Sequence, residues 1–411
     1  MLMAKENGRT TIGAPDKLFG VSSKAKKAIA EKGKENVIDS TIGVLLDDNG
    51  KLVVLESVME CIRALTPEDY AAYAPILGLP EYREAVKKAV FLDEMPENRF
   101  IESCYTPGGT GAIRNAVSGY TEPGDKILVS DWHWNPYNLI ASEIGRKVET
   151  YPLFKNDAFD SESFEAALSA ILAEQDQTLV IINTPAHNPT GYTFTEEDWN
   201  RVQAVIEKFS HKKIALLVDI AYLDFSGDGK AYRFFLKKLA QMPDHVLPLI
   251  AFSASKGYTM YGMRCGALLC MAQSPALAKE FVDVMSVESR ASWSNGNRAA
   301  MKVLANILTN EALLAKVDQE RAGYLQTLRS RGKVFMEEAE KAGLVTCPYD
   351  SGFFVTVPCE KPEAVGELLQ KEDIFAIPMG RGVRFSVASN TEAECRKIPA
   401  KVKAAILKTE A

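Results

Sequence analysis

Histidine is scarce in this chain. His133, His187, His211 and His245 are the only four among 411 residues, and none shows the i, i+4 pairing or the carboxylate companion that metal sites use. No metal is expected. The seven cysteines, Cys61, Cys104, Cys265, Cys270, Cys347, Cys359 and Cys395, are odd in number, scattered, and contain no Cys-x-x-Cys pair. That usage reads as reduced residues of a cytoplasmic protein, mostly in its core, and excludes a disulfide scaffold. No apolar run approaches the roughly 20 residues that span a bilayer, and Met1 to Gly20 lacks the sustained apolar core of an export signal. Membrane and export roles are set aside on this ground. The net charge is −6 with both signs interspersed, and no Lys/Arg run is dense or aromatic-interleaved enough for a nucleic-acid surface. What is present is a composition of 46% hydrophobic and 25% charged residues, that of a globular protein with a large core and small-molecule partners.

Along the chain, short β-rich apolar runs alternate with helical patterns from about residue 100 to 270. The runs are Lys126 to Ser130, Lys147 to Pro152, Leu179 to Asn183, Ile214 to Asp219, Val246 to Phe252 and Gly266 to Met271. This rhythm predicts helices packed around a mostly parallel sheet, an α/β fold. Helices are expected at Ser161 to Gln175 and at Glu196 to Phe209, the second opened by Thr195 with Asp198 three residues on, a capping-box spacing. From Glu311 to about Ala342 runs a long helical pattern rich in Ala, Leu, Lys and Glu, followed by short strands such as Gly352 to Val357 and Gly382 to Val387. A domain change is placed inside that helix. The expected organisation is an N-terminal arm over residues 1–50, a large domain over 51–325 and a small C-terminal domain over 326–411 that the arm joins.

The chemistry-bearing residues fall at strand ends and turns, where open α/β sheets place ligands. Ser253-Ala254-Ser255-Lys256, with Arg264 eight residues later, leaves the run Val246 to Phe252. It is either a solvated strand end or a site in which a lysine amine condenses with an aldehyde while hydroxyls and a guanidinium hold a phosphate. Thr106-Pro107-Gly108-Gly109-Thr110-Gly111-Ala112 precedes a helical pattern, so Gly109 and Thr110 open either a phosphate cradle or a plain glycine turn. A dinucleotide loop is disfavoured by the missing Gly-x-Gly-x-x-Gly spacing, and a P-loop by the missing Gly-Lys-[Ser/Thr]. Asn188-Pro189-Thr190-Gly191 is a turn signature in its own right. Asp219 closes one strand with Tyr222 three residues on. An aspartate facing a pyridine nitrogen keeps the ring an electron sink, and an amide and a phenol at the ring oxygen tune the same system. Trp134 suits either a core position or stacking on a flat ring. Arg384, in an apolar C-terminal strand, needs a partner, either an acidic residue or a substrate carboxylate.

Taken in order, these motifs resemble the aspartate/aromatic branch of the class I aminotransferases, enzymes of fold type I that use pyridoxal 5′-phosphate. Matching pieces run from Ile38 to Lys51 (IDSTIGVLLDDNGK) through Tyr73 to Gly78, His187 to Gly191, Asp219 to Tyr222, Ser253 to Gly266 and Arg290 to Asn295 to Arg384 to Ser389 (RFSVAS). The resemblance implies a seven-stranded, mostly parallel sheet flanked by helices plus a smaller α/β domain. It implies that Lys256 holds the cofactor as an internal aldimine and shuttles the proton between substrate and cofactor. Asp219 would pair with the ring nitrogen, Asn188 and Tyr222 would contact the ring oxygen, and Trp134 would stack on the ring. Phosphate would fall to Gly109, Thr110, Ser253, Ser255 and Arg264, with Tyr73 reaching it from the neighbouring subunit of a homodimer. Gly43 would lie near the substrate, and Arg384 would clamp its α-carboxylate.

Substrate choice turns on Arg290-Ala291-Ser292-Trp293-Ser294-Asn295, which resembles the segment that offers a second arginine to a side-chain carboxylate. The alternative is a surface arginine paired with Glu288. The implied activity is amino-group transfer between an aspartate- or glutamate-type, or an aromatic, L-amino acid and a 2-oxo acid such as 2-oxoglutarate. A β-decarboxylase or β-lyase on the same scaffold is the rival, and a non-catalytic cofactor-binding regulator is a more distant one. Two departures from the family pattern stand out. Tyr137 occupies the place of a histidine that backs the ring-binding aspartate, and Asn295-Gly296-Asn297 replaces Asn-Pro-Pro, which is expected to loosen the loop presenting Arg290.

Overall fold

The computed structural model describes residues 17–227 and 231–410, so residues 1–16 of the expected N-terminal arm lie outside the described residues. The chain forms two compact units. Among the described residues the larger takes Val54–Thr184 and Phe194–Arg321, and the smaller takes residues 17–53, Pro185–Thr193 and 322–410.

The larger unit is built on seven strands: β1 (Phe100–Thr106), β2 (Lys126–Ser130), β3 (Lys147–Tyr151), β4 (Gln177–Asn183), β5 (Lys213–Asp219), β6 (Val246–Ser253) and β7 (Gly266–Ala272). Their order across the sheet is β1-β7-β6-β5-β4-β2-β3. Strands β3, β2, β4, β5 and β6 pair in parallel. Strand β7 runs antiparallel to both β6 and β1, so β1 shares the direction of the parallel set and the sheet is mixed. The last six residues of β5, Ile214 to Asp219, are all buried, as a strand covered on both faces requires. Every expected strand from Lys126 onward forms within a residue or two of its predicted ends.

This topology brings the carboxyl ends of six strands to one edge: Thr106, Ser130, Tyr151, Asn183, Asp219 and Ser253. Gly266, the first residue of the reversed strand, lies there too, paired with both Thr106 and Ser253. The helix Gly108–Tyr120 leaves β1 at this edge. Ala112, Ile113, Ala116 and Val117 pack its inner face into a core with Leu249, Ala251 and Leu268 of the sheet and Phe281 and Met285 of the helix Pro275–Ser292. Burial of the isoleucine, valine, leucine, phenylalanine and methionine side chains contributes about 1.5–3 kcal/mol each, and of the alanines less, which holds the amino end of the helix in place. The helix Glu196–Glu207 carries the predicted capping box, with the Thr195 hydroxyl accepting from the Asp198 amide and the Asp198 carboxylate accepting from the Thr195 amide.

The smaller unit has a three-stranded antiparallel sheet of β8 (Phe354–Pro358), β9 (Ile377–Met379) and β10 (Gly382–Ser386), in the order β8-β10-β9. A short parallel pair joins Ile38–Asp39 to Ile374–Phe375, which ties the early segment into this unit. The fully buried Arg331 fixes the loop that follows: it donates to the carbonyls of Leu46 and Ala388 and pairs with Asp48 at 2.9 Å.

Candidate active site

In the larger unit the backbone prepares an anion cradle. Gly108, Gly109 and Thr110 form the first turn of the helix Gly108–Tyr120, where backbone N–H groups have no intrahelical acceptor and the helix dipole favours negative charge. Gly108 has φ +72°, and a Cβ there would meet the Arg264 guanidinium at 2.7 Å. A Cβ on Gly266 would strike the Gly108 carbonyl carbon at 2.5 Å, so strand β7 and the helix start approach backbone to backbone. Arg264, itself at φ 53°, donates to the Tyr261 carbonyl at 2.9 Å and lies over the helix start beside the Pro107 carbonyl. Ser253 packs against Gly109, its Oγ accepting from the Ser255 amide at 3.3 Å. The structure thus gathers Gly109, Thr110, Ser253, Ser255 and Arg264 around one helix terminus, with Thr110 and Arg264 exposed.

Lys256 follows in the single turn Ala254–Gly257. It is half-buried, with its Nζ 5.7 Å from the centroid of the Tyr222 ring and 4.8 Å from that of Tyr261. Two aromatic faces confine the amine. Tyr261 was not among the residues singled out from sequence. Its position between Lys256 and Arg264 was the available signal.

Asp219 ends β5 and is buried. Its Oδ2 accepts from the Tyr137 hydroxyl at 2.7 Å, its Oδ1 from the Ala221 amide at 3.1 Å, and its carbonyl accepts from Asn183 Nδ2 at 2.8 Å. Burial pushes the carboxyl above its ordinary value, and the Tyr137 and Ala221 hydrogen bonds oppose that shift. Burial also drives the Tyr137 phenol well above its ordinary value, reinforced by the neighbouring carboxylate. Tyr137 is therefore a fixed neutral donor. Trp134 stands edge-on to Tyr137 at 5.5 Å, and the loop carrying it is tied by His133, whose Nδ1 donates to the Ser130 carbonyl while Nε2 accepts from Asn138. That half-buried histidine is pushed below its ordinary value by desolvation.

Tyr73 is 86% exposed. Arg290, near the end of the helix Pro275–Ser292, is exposed and donates to Ser294 Oγ at 2.6 Å. Glu288 lies 3.8 Å from Arg114, not against Arg290. The expected looseness of the Asn295-Gly296-Asn297 segment meets a packing constraint, since a Cβ on Gly296 would sit 2.0 Å from the Tyr105 ring, so the glycine is seated flat on that aromatic.

The smaller unit assembles a second cluster. Arg384 of β10 is buried, donates from Nη1 to Asn188 Oδ1 at 3.2 Å and from Nη2 to the Thr41 carbonyl at 3.1 Å, and lies 4.1 Å over the Phe354 ring. Gly43 borders the same ring, where a Cβ would meet Phe354 Cζ at 2.8 Å. The Asn188 turn is held by Gly191, at φ +82°, whose Cβ would collide with Tyr349. Thus Asn188, Gly43 and Arg384 gather in this unit, with Phe354 as their unpredicted floor.

The larger unit therefore matches the needs of a phosphorylated, aldehyde-bearing aromatic cofactor. A helix terminus and an arginine suit the phosphate, a confined lysine suits the aldehyde, and a buried, hydrogen-bonded carboxylate suits a protonated ring nitrogen. These features define the class of a pyridoxal-phosphate enzyme. The family model for aminotransferase class I and II matches residues 35–402, and the chain belongs to that family, which is pyridoxal-phosphate dependent.

An aminotransferase structure from Anaerococcus prevotii is 35% identical, with a TM-score of 0.95 over 99% of this chain and all of that one. The mitochondrial aspartate aminotransferase of Schizosaccharomyces pombe is 28% identical over 340 residues, covering 80% of this chain and 74% of that protein. The aromatic-amino-acid aminotransferase of Escherichia coli K12 is 25% identical over 362 residues, covering 85% and 89% respectively. The protein is an aminotransferase of the aspartate/aromatic branch.

Proposed function

We propose that this enzyme moves the amino group between dicarboxylic L-amino acids, aspartate and glutamate, and 2-oxo acids such as 2-oxoglutarate, with aromatic amino acids as a second substrate class. The observation that carries the reading is the pair of arginines in unlike settings. Arg384 is buried and aimed by Asn188, Thr41 and Phe354, a rigid fork suited to an α-carboxylate. Arg290 is exposed and steadied by Ser294, suited to a carboxylate arriving at the surface of this chain. The relatives bearing aspartate and aromatic aminotransferase names support both substrate classes.

When bound, the cofactor supplies the aldehyde and the electron-accepting ring. Lys256 would hold it and carry the proton to and from the substrate α-carbon. Asp219, kept in place by Tyr137, would serve the ring nitrogen. Tyr222 and Asn188 would serve the ring oxygen, Trp134 would stack on the ring, and Gly109, Thr110, Ser253, Ser255 and Arg264 would hold the phosphate. The working unit is a homodimer in which Tyr73 and Arg290 serve the partner's site, a reading supported by the exposure of both. A reducing cytoplasmic setting is consistent with seven cysteines that form no disulfide, six of them buried.

The test is the visible spectrum of the cofactor-loaded protein after adding L-aspartate, L-glutamate, L-phenylalanine or L-alanine separately, with no oxo acid present. Conversion of the cofactor to its amine form by aspartate and glutamate is expected. Conversion by phenylalanine or alanine alone would overturn the dicarboxylate assignment, and release of pyruvate or alanine without oxo-acid demand would favour β-elimination or decarboxylation. Lys256→Ala is expected to abolish turnover, and unchanged activity would sink the mechanism.

A further inference from the structure

The turn that follows Tyr222 hides a carboxylate. Asp224 lies in the 3-10 turn Leu223–Phe225, its side chain 14% exposed. Arg233 Nη2 donates to its Oδ1 at 3.3 Å, and Arg321 Nη1 lies 3.2 Å from its Oδ2. Both guanidiniums are nearly buried, at 8% and 13% exposure. Arg233 is anchored further by the carbonyls of Val90 and Ala89 at 3.0 and 3.1 Å, and Arg321 also pairs with Asp318.

The same carboxylate occupies the space beside Gly257, the residue after Lys256. A Cβ on Gly257 would stand 2.0 Å from Asp224 Oδ2, a separation no side chain tolerates. The next residue, Tyr258, lies with its buried ring 5.0 Å beneath the Arg321 guanidinium. Thus one carboxylate, two residues past Tyr222, touches the backbone that immediately follows Lys256, and its arginine partner stacks on the residue after that.

We propose that Asp224, braced by Arg233 and Arg321, is a positioning residue that fixes the Lys256 turn against the Tyr222 turn, and so sets the approach of the lysine amine to the phenol. A nearly buried carboxylate hydrogen-bonded by one guanidinium and ion-paired with a second is restrained on both of its oxygens, and Gly257 lets the lysine turn close down on it. Displacements of an ångström between reacting groups cost about a hundredfold in rate, so an anchor shared by both turns has a direct functional reading. This inference rests on the role proposed above for Lys256.

The test compares wild type, Asp224→Asn and Gly257→Ala, each loaded with pyridoxal phosphate. Three quantities are read: the thermal melt, the pH midpoint of the bound cofactor's visible band, and the rate of its conversion by L-glutamate. Asp224→Asn keeps the shape and removes the charge, whereas Gly257→Ala keeps every charge and adds one methyl group that forces the carboxylate and the lysine turn apart. Both variants are expected to bind cofactor and melt cooperatively, to shift the midpoint by about half a pH unit or more, and to slow conversion about tenfold or more. A folded variant of either kind with the wild-type midpoint and rate would reduce Asp224 to a stability role. Loss of cooperative melting in both would do the same. Wild-type protein with no visible band would instead fail the reading of Lys256 itself, which keeps the two outcomes apart.

Discussion

At the scale of single residues, the Tyr137–Asp219 contact has the sharpest consequences. A hydrogen bond to a charged group contributes about 1.5–3 kcal/mol, and this one is sealed from water. Tyr137→Phe is therefore expected to raise the Asp219 carboxyl further, since it removes the largest factor opposing burial. It should also weaken cofactor binding and the half-reaction by about tenfold, read by equilibrium dialysis of the cofactor and by single-turnover absorbance. The raised carboxyl has a second effect, visible without cofactor. Because its folded value lies above the ordinary 3.8, its stabilising contribution is complete below that value and is lost as pH rises through the folded value. Urea unfolding of the apoprotein across that window should show Asp219→Asn gaining stability relative to wild type as pH increases. A difference independent of pH would contradict the assignment. Lys256, Asp219 and Arg384 were legible in the sequence because a charged side chain at the end of an apolar strand, as for Lys256 and Asp219, or within one, as for Arg384, needs a chemical reason. Tyr261, Asn183 and Phe354 were not, since tyrosine, asparagine and phenylalanine fit ordinary packing as well. Asp224 sat in what reads as a polar turn, its partner Arg321 almost a hundred residues away in sequence.

Elements were legible to the extent that their burial is uniform. Strands β4 and β5 present unbroken apolar runs because both of their faces are covered, and their predicted ends fall close to the observed ones. Strand β1 lacks that signature. Its sequence FIESCYT interleaves Glu102 and Ser103 with apolar residues, it lies at the sheet edge beside β7, and its first three residues are not buried. The reversal of β7 was equally hidden, because an apolar run carries no mark of strand direction. Helix starts announce themselves through capping chemistry, and the Thr195–Asp198 box is a case where the spacing alone sufficed. Thr195→Ala removes the side-chain half of that box, a loss of about 1 kcal/mol. The amide of Asp198 should then exchange with solvent about fivefold faster, measured by hydrogen–deuterium exchange, while amides of the distant helix Pro362–Lys371 stay unchanged.

For the whole molecule, the grouping of Pro185–Thr193 with the smaller unit follows from hydrogen bonds that continuity along the chain does not reveal. Thr356 Oγ1 donates to the Pro189 carbonyl, the Thr193 amide to Asp350, and the Asp350 amide to the Gly191 carbonyl. The final question at this scale is whether one chain completes another's site. If each site takes Lys256 from its own subunit and Arg290 from its partner, then Lys256→Ala and Arg290→Ala homodimers are each defective toward aspartate for different reasons. A mixed dimer has one site lacking both groups and one site lacking neither. Random reassociation of equal amounts gives half mixed dimers, each with one intact site, so about a quarter of wild-type aspartate activity should return. Two separately tagged preparations, dissociated, mixed and reassociated, make the measurement. Activity confined to the doubly tagged fraction would place Arg290 in the partner's site. No recovery in a fraction shown to contain both tags would mean that Arg290 serves its own chain or no site at all.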